Sequence, residues 1–137
     1  MATAHITYTR DLRTNAIHIQ SGSEIETDAP TDNKGKGERF SPTDLVAVAL
    51  ATCILTTLGI AAPIHEFYID GAECEVVKIM TSNPRKIGEI QIVISFPKSF
   101  PFTEKQKVKI EHIAHTCPVY ESLHPDCKKT ISFVWPA

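Results

Sequence analysis

This sequence of 137 residues contains four cysteines, whose thiols can act as nucleophiles, form disulfides or bind metals. Cys117 precedes Pro118, which suits the first position of a helix, so the thiol would lie where backbone N–H groups stabilise a thiolate. Cys53 lies in an uncharged segment, where burial disfavours the thiolate unless a cation lies nearby. The residues alone favour Cys117 as the reactive thiol and leave a core role open for both.

Histidines and cysteines near the C-terminus raise the alternative of a metal site. His112 and His115 are three residues apart and could share a helix face. His124 and Cys127 are separated by two residues, an interval typical of zinc ligands. A zinc protein that uses Cys117, His124 and Cys127 is therefore a rival hypothesis, although the sequence has no Cys-x-x-Cys pair.

Composition limits the classes of protein and partner. Hydrophobic residues make up 42% of the sequence, enough for the core of a single domain over residues 1–137. Lys and Arg number 14 against 16 Asp and Glu, so we expect no nucleic-acid partner. The cysteines are too few for a disulfide scaffold and residues 1–13 lack the apolar run of a signal peptide, which together predict a cytoplasmic protein.

Periodicity and turn residues predict an α+β chain. The predicted strands are 5–9, 16–21, 24–28, 74–81, 89–96 and 129–135, with a turn at 13–15; the predicted helices are 42–62, 103–115 and a short one at 118–123. Ser41 and Asp44 have the spacing of a helix cap. The predicted buried side of the second helix comprises Val108, Ile110, Ile113 and Ala114. The nearby lysines Lys105, Lys107 and Lys109 indicate a solvated helix face.

Residues 45–64 carry no charge and are long enough to cross a membrane. The stretch contains five Ala, three Thr, a Gly and a Pro, and neither end has a Lys or Arg cluster. A helix that is apolar on all sides can equally be buried in a protein core or a subunit interface. We expect the buried helix and no membrane partner.

Two motifs resemble the OsmC/Ohr family of thiol peroxidases, named for osmotic induction and organic hydroperoxide resistance. They are SPTDLVAVALATC at 41–53 and CPVYESL at 117–123, and the cysteine separation, 117 − 53 = 64, also fits. The resemblance implies an α+β, OsmC-like fold with antiparallel sheets packed around a long central buried helix. It further implies an intertwined homodimer, in which the partner subunit covers the exposed side of that helix and the active sites lie at the interface.

The resemblance reverses the ranking of the thiols. It implies that Cys53 attacks the peroxide and becomes a sulfenic acid, and that Cys117 then forms a disulfide with it, which an external dithiol reduces. Arg13 best matches the family arginine that favours the thiolate, with Arg10 and Arg39 as alternatives. The implied protein is an antioxidant enzyme that reduces small organic hydroperoxides without metal, haem or flavin.

One position departs from the family pattern. The family peroxidases usually carry a glutamate ten residues before the nucleophile to hold the arginine, and here that position is Thr43. Asp44 follows, but one residue further along a helix points about 100° away. This departure leaves an alternative: a non-catalytic OsmC-like dimer that binds an apolar or acyl ligand in its interface pocket.

Overall fold

Residues 1–97 and 99–136, which a computed structural model describes, form six β-strands and three α-helices. The elements are β1 Ala4–Arg10, β2 Arg13–His18, β3 Glu24–Asp28, α1 Pro42–Ala61, β4 Glu73–Thr81, β5 Lys86–Ser95, α2 Glu104–Ala114, α3 Pro118–Ser122 and β6 Lys128–Val134. The predicted α+β class is confirmed. The chain divides into two units, Met1–Val46 and Ala47–Ala137, and each is described by itself.

The N-terminal unit contains an antiparallel sheet in the order β1-β2-β3. Its first turn consists of Asp11 and Leu12, whose φ angles are 53° and 64°. Two consecutive positive φ angles suit the right-handed twist of a hairpin, but Asn and Gly usually occupy such positions. The predicted turn at 13–15 is therefore wrong, and β2 begins three residues earlier than expected, at Arg13.

The start of α1 is held by the predicted cap. The hydroxyl of Ser41 accepts a hydrogen bond from the backbone N–H of Asp44 (3.0 Å), and the Asp44 carboxylate accepts one from the backbone N–H of Ser41 (2.9 Å). This reciprocal pair satisfies two N–H groups that an isolated helix end would leave unpaired. The cap fixes where α1 begins.

The C-terminal unit contains a second sheet in the order β4-β5-β6. β4 and β5 are antiparallel, whereas β5 and β6 are parallel, which differs from the all-antiparallel expectation. The parallel pair arises because the chain passes through α2 and α3 before it returns, as a parallel connection requires. Every second residue of β5, Ile90, Ile92 and Ile94, is buried and forms the sheet side of the core.

Helix α2 packs one face into this core. Thr103 caps it through a reciprocal pair with Gln106. Ile110, Ile113 and Ala114 are buried as predicted. Val108 is 67% exposed, so its predicted burial is wrong. The reason is geometric, because two residues along a helix turn the side chain by about 200° away from Ile110.

Helix α1 buries a narrow stripe and leaves much of its apolar surface exposed. Leu50, Ile54 and Leu58 are fully buried, whereas Ile60 is 66% exposed. Among the described residues it is the one helix whose length and composition would suit a membrane span, and 28% of its most apolar window is buried. The helix therefore carries apolar surface that this chain alone does not cover.

Candidate active site

The structure brings two of the predicted site residues together in the C-terminal unit. Cys53 lies in the middle of α1 and is half-buried. Cys117 is fully buried and occupies the N-cap position of α3, with Pro118 at the first helical position as predicted. The two thiols are close enough that the Cys53 side chain contributes to the raised pKa of the Cys117 thiol. Both are free cysteines.

The surroundings of Cys117 favour its protonated form. Burial is the largest cause that raises the pKa of this thiol, and the neighbouring Cys53 side chain raises it further. The backbone N–H groups of Tyr120 and Val119 act in the opposite direction but do not reverse the shift. The net effect is a raised pKa, so ionisation of Cys117 is disfavoured.

Thr57 lies one helical turn beyond Cys53. Its hydroxyl donates to the backbone carbonyl of Cys53 (2.8 Å), while its oxygen lies 4.0 Å from the Cys53 sulfur. Because a hydroxyl has one proton to donate, Thr57 uses it on the backbone.

These surroundings predict an order of chemical reactivity. At pH 8 we expect iodoacetamide to modify Cys53 before Cys117, because alkylation requires an accessible thiolate and Cys117 is both buried and held protonated. Timed quenching followed by peptide mass spectrometry measures the order. Modification of Cys117 ahead of Cys53 would contradict the burial and the raised pKa of Cys117.

Arg13, the third predicted site residue, lies in the N-terminal unit and makes a two-pronged salt bridge. Its Nε and one terminal nitrogen lie 2.7 and 2.8 Å from the two carboxylate oxygens of Asp28, which is 1% exposed. Arg13 and Asp28 face each other across β2 and β3. The hydrogen bonds from Arg13 are the largest cause that lowers the pKa of Asp28, against the opposing effect of burial.

A second carboxylate completes this arrangement. Arg13 also contacts Glu38 at 3.2 Å, and the backbone N–H of Glu38 donates to Asp28 (3.1 Å). The family pattern considers position 43, which is Thr43 here, and its neighbour Asp44; it gives no indication that Asp28 and Glu38 are the carboxylate partners of Arg13. The Asp44 carboxylate instead caps α1. The alternative arginine Arg39 pairs with Glu26 at 3.1 Å.

The residues of the rival zinc hypothesis have other contacts. The Nδ1 atom of His124 accepts a hydrogen bond from the backbone N–H of Asp126 (3.0 Å), and Nδ1 of His115 lies 2.7 Å from the carbonyl of Glu111. Within residues 1–97 and 99–136, no three His, Cys, Asp or Glu side chains are grouped as metal ligands would be. Cys127 is buried in the core instead.

Comparison with known proteins identifies the family of this chain. A family model described as OsmC-like protein matches residues 35–132, which include both Cys53 and Cys117. The chain belongs to the OsmC-like family. The resemblance of residues 41–53 and 117–123 is thereby confirmed. No curated protein matches the sequence significantly.

Three solved structures of other proteins are similar to this one. A Psychrobacter arcticus protein, named for osmotic stress induction and a detoxification response, is 47% identical with a TM-score of 0.92, over 98% of this chain and 96% of that one. The OsmC-like protein of Mycoplasma pneumoniae is 20% identical with a TM-score of 0.78, over 98% and 96%. An organic hydroperoxide resistance protein of Legionella pneumophila is 12% identical with a TM-score of 0.71, over 97% of each chain. The last two show a shared fold.

Proposed function

We propose that this OsmC-like protein is a cysteine-based peroxidase that reduces small organic hydroperoxides. The observation that carries the proposal is the proximity of Cys53 and Cys117, which are close enough that the Cys53 side chain raises the pKa of the Cys117 thiol. A second thiol beside an oxidised cysteine is positioned to form a disulfide with it. The name of the Legionella protein, which shares this fold, supports the same class of activity.

The proposed cycle uses the two thiols and an external dithiol. The Cys53 thiolate attacks one oxygen of ROOH, the O–O bond breaks, Cys53 becomes S–OH, and the alkoxide takes a proton to leave as ROH. The Cys117 sulfur then attacks the Cys53 sulfur, which forms the disulfide and releases the hydroxyl as water. A dithiol reduces this disulfide by exchange and is itself oxidised to a disulfide. No metal, haem or flavin takes part in this cycle.

The proposal includes a homodimer and a third residue. The exposed apolar side of α1 supports the dimer, because a partner subunit would bury side chains such as Ile60. Arg13 is proposed as the cation that favours the Cys53 thiolate, on the strength of the family pattern. The proposed compartment is the cytoplasm, where a reducing environment would keep the cysteines free for the cycle.

Thr43 favours a second candidate function. Without the family glutamate at this position, the protein could retain the OsmC-like fold as a non-catalytic dimer that binds an apolar or acyl ligand at its interface. The two candidates differ in what peroxide does to the thiols. A binding protein would keep its free thiols when a hydroperoxide is added, whereas a peroxidase would lose two per chain.

The purified protein should be assayed with cumene hydroperoxide and with hydrogen peroxide, using dithiothreitol as the dithiol. We expect turnover that follows protein concentration and is faster with the organic peroxide. In the absence of dithiothreitol, titration with a thiol reagent should show two thiols lost per chain. Unchanged thiols after peroxide addition would refute the peroxidase and favour the binding protein.

A further inference from the structure

A cleft of about 830 Å³ lies between α2 and the segment that follows α1. Residues 64–66 form one wall, and the face of α2 that carries Lys105, Val108 and Lys109 forms the other. Its volume falls within the range of sites that bind small organic molecules. Neither Cys53 nor Cys117 lines the cleft, so it is separate from the candidate active site.

The two walls of the cleft are tied together by Gln106. Its side-chain amide nitrogen donates to the carbonyl of Glu66 (3.0 Å) and lies 3.4 Å from that of His65. The oxygen of the same amide accepts from the backbone N–H of Thr103 in the helix cap (2.9 Å). The cleft is therefore preformed, and a ligand would not have to order its walls on binding.

Each wall presents a large aliphatic side chain to solvent. Ile64 is 71% exposed and Val108 is 67% exposed, although both are residue types that usually avoid water. A hydrocarbon chain laid against them would gain about 25 cal/mol for each Å² of apolar surface removed from water. The apolar part of the cleft thus suits an alkyl group.

The charged part of the cleft is mainly positive. Lys105 and Lys109 are four residues apart, so their ammonium groups lie on one helix face. Within residues 1–97 and 99–136, neither lysine forms a salt bridge. Lysine ammonium groups that have no carboxylate partner favour an anionic ligand. His112 also lines this wall, and Glu66 is the one acidic residue in the lining.

The third lysine of the sequence run lies elsewhere and provides a contrast. Lys107 pairs with Glu104 at 3.3 Å, and its ammonium lies 5.5 Å from the centre of the Trp135 ring. It does not line the cleft. The structure thus separates lysines that the sequence alone treats alike.

We propose that this cleft binds a free amphiphile with a carboxylate headgroup and an alkyl chain, of the long-chain fatty acid class. The carboxylate lies between the ammonium groups of Lys105 and Lys109, and the alkyl chain covers Ile64 and Val108. This binding is independent of the peroxidase proposal, because the cleft contains no thiol and the ligand undergoes no reaction there.

Calorimetric titration of the full chain with decanoate, below the concentration at which it forms micelles, tests the proposal. We expect saturable binding of one decanoate per chain, and none of decyltrimethylammonium, which has the same chain and the opposite charge, or of butyrate, which lacks the chain. In the double variant Lys105→Gln, Lys109→Gln the Kd should rise about tenfold, which corresponds to 1.4 kcal/mol. Lys107→Gln, the matched control, should bind as the wild type does.

Four results would overturn the proposal. They are absence of saturable decanoate binding, equal binding of the cationic amphiphile, equal loss of affinity in Lys107→Gln, and binding to phosphatidylglycerol vesicles without binding of free decanoate. A fifth such result comes from light scattering of the double variant. A change in its oligomeric state would show that the cleft contacts a second copy of the chain.

Discussion

The variant Cys53→Ser is expected to lose peroxidase activity by about 10³-fold or more, to the rate of the uncatalysed reaction with dithiothreitol. A serine hydroxyl does not ionise near neutral pH and cannot become a sulfenic acid, so the first step of the cycle disappears. Steady-state rates with cumene hydroperoxide measure the loss. Circular dichroism would verify that the half-buried substitution leaves the fold intact.

Two matched variants separate the roles of the cysteines. Cys117→Ser should still form one sulfenic acid per chain, trapped by dimedone, but it should form no intramolecular disulfide. Cys74→Ala removes a thiol from β4, where burial raises its pKa, and should retain the wild-type rate. Wild-type activity in Cys53→Ser, or equal losses in all three variants, would contradict the proposed cycle.

The variant Asp28→Asn is expected to lower the urea concentration at which the protein unfolds. Asp28 is 1% exposed and receives two charged hydrogen bonds from Arg13. An asparagine has one acceptor oxygen and would turn an N–H group toward the guanidinium, which leaves a positive charge without its buried partner. Glu38→Gln is the matched control, since Glu38 contacts the same arginine but its side chain is 60% exposed. It should change the midpoint far less.

The effect of Asp28→Asn should depend on pH in a defined direction. Because Arg13 lowers the pKa of Asp28 in the folded state, the carboxylate contributes stability above its unfolded pKa of about 3.9. This contribution is lost as the pH falls through the lowered folded value. The difference between wild-type and variant midpoints should thus be constant from pH 7 to pH 5 and shrink below about pH 4. A difference that grows on acidification would contradict the salt bridge.

The sequence predicted the structure correctly where one short segment determines it. The spacing of Ser41 and Asp44 predicted the cap of α1, since the two hydrogen bonds join residues three apart. Pro118 predicted that Cys117 would occupy a helix N-cap. The contact between Cys53 and Cys117 joins residues 64 positions apart, and it followed from the family motifs rather than from local physics.

The sequence-based predictions were wrong where the structure depends on strand register or on the side of a helix that a residue occupies. Nothing in the residue type of Leu12 indicates its positive φ, so the sequence predicts the turn over Arg13 and excludes that residue from β2. With β2 starting at Arg13, the hairpin register sets Asp28 directly opposite, and the arginine's partner could have been named from that alignment. The prediction that Val108 is buried was wrong for a related reason, because Val108 and Ile110 lie on different sides of α2.

The central claim is that Cys53 and Cys117 form a redox pair. Peptide mapping by mass spectrometry, after the reduced protein is treated with one equivalent of cumene hydroperoxide and its remaining thiols are blocked, tests this most directly. The proposal predicts a disulfide between Cys53 and Cys117 in a single chain, with Cys74 and Cys127 recovered as blocked thiols. A disulfide that joins any other pair, or four blocked thiols after peroxide treatment, would contradict it.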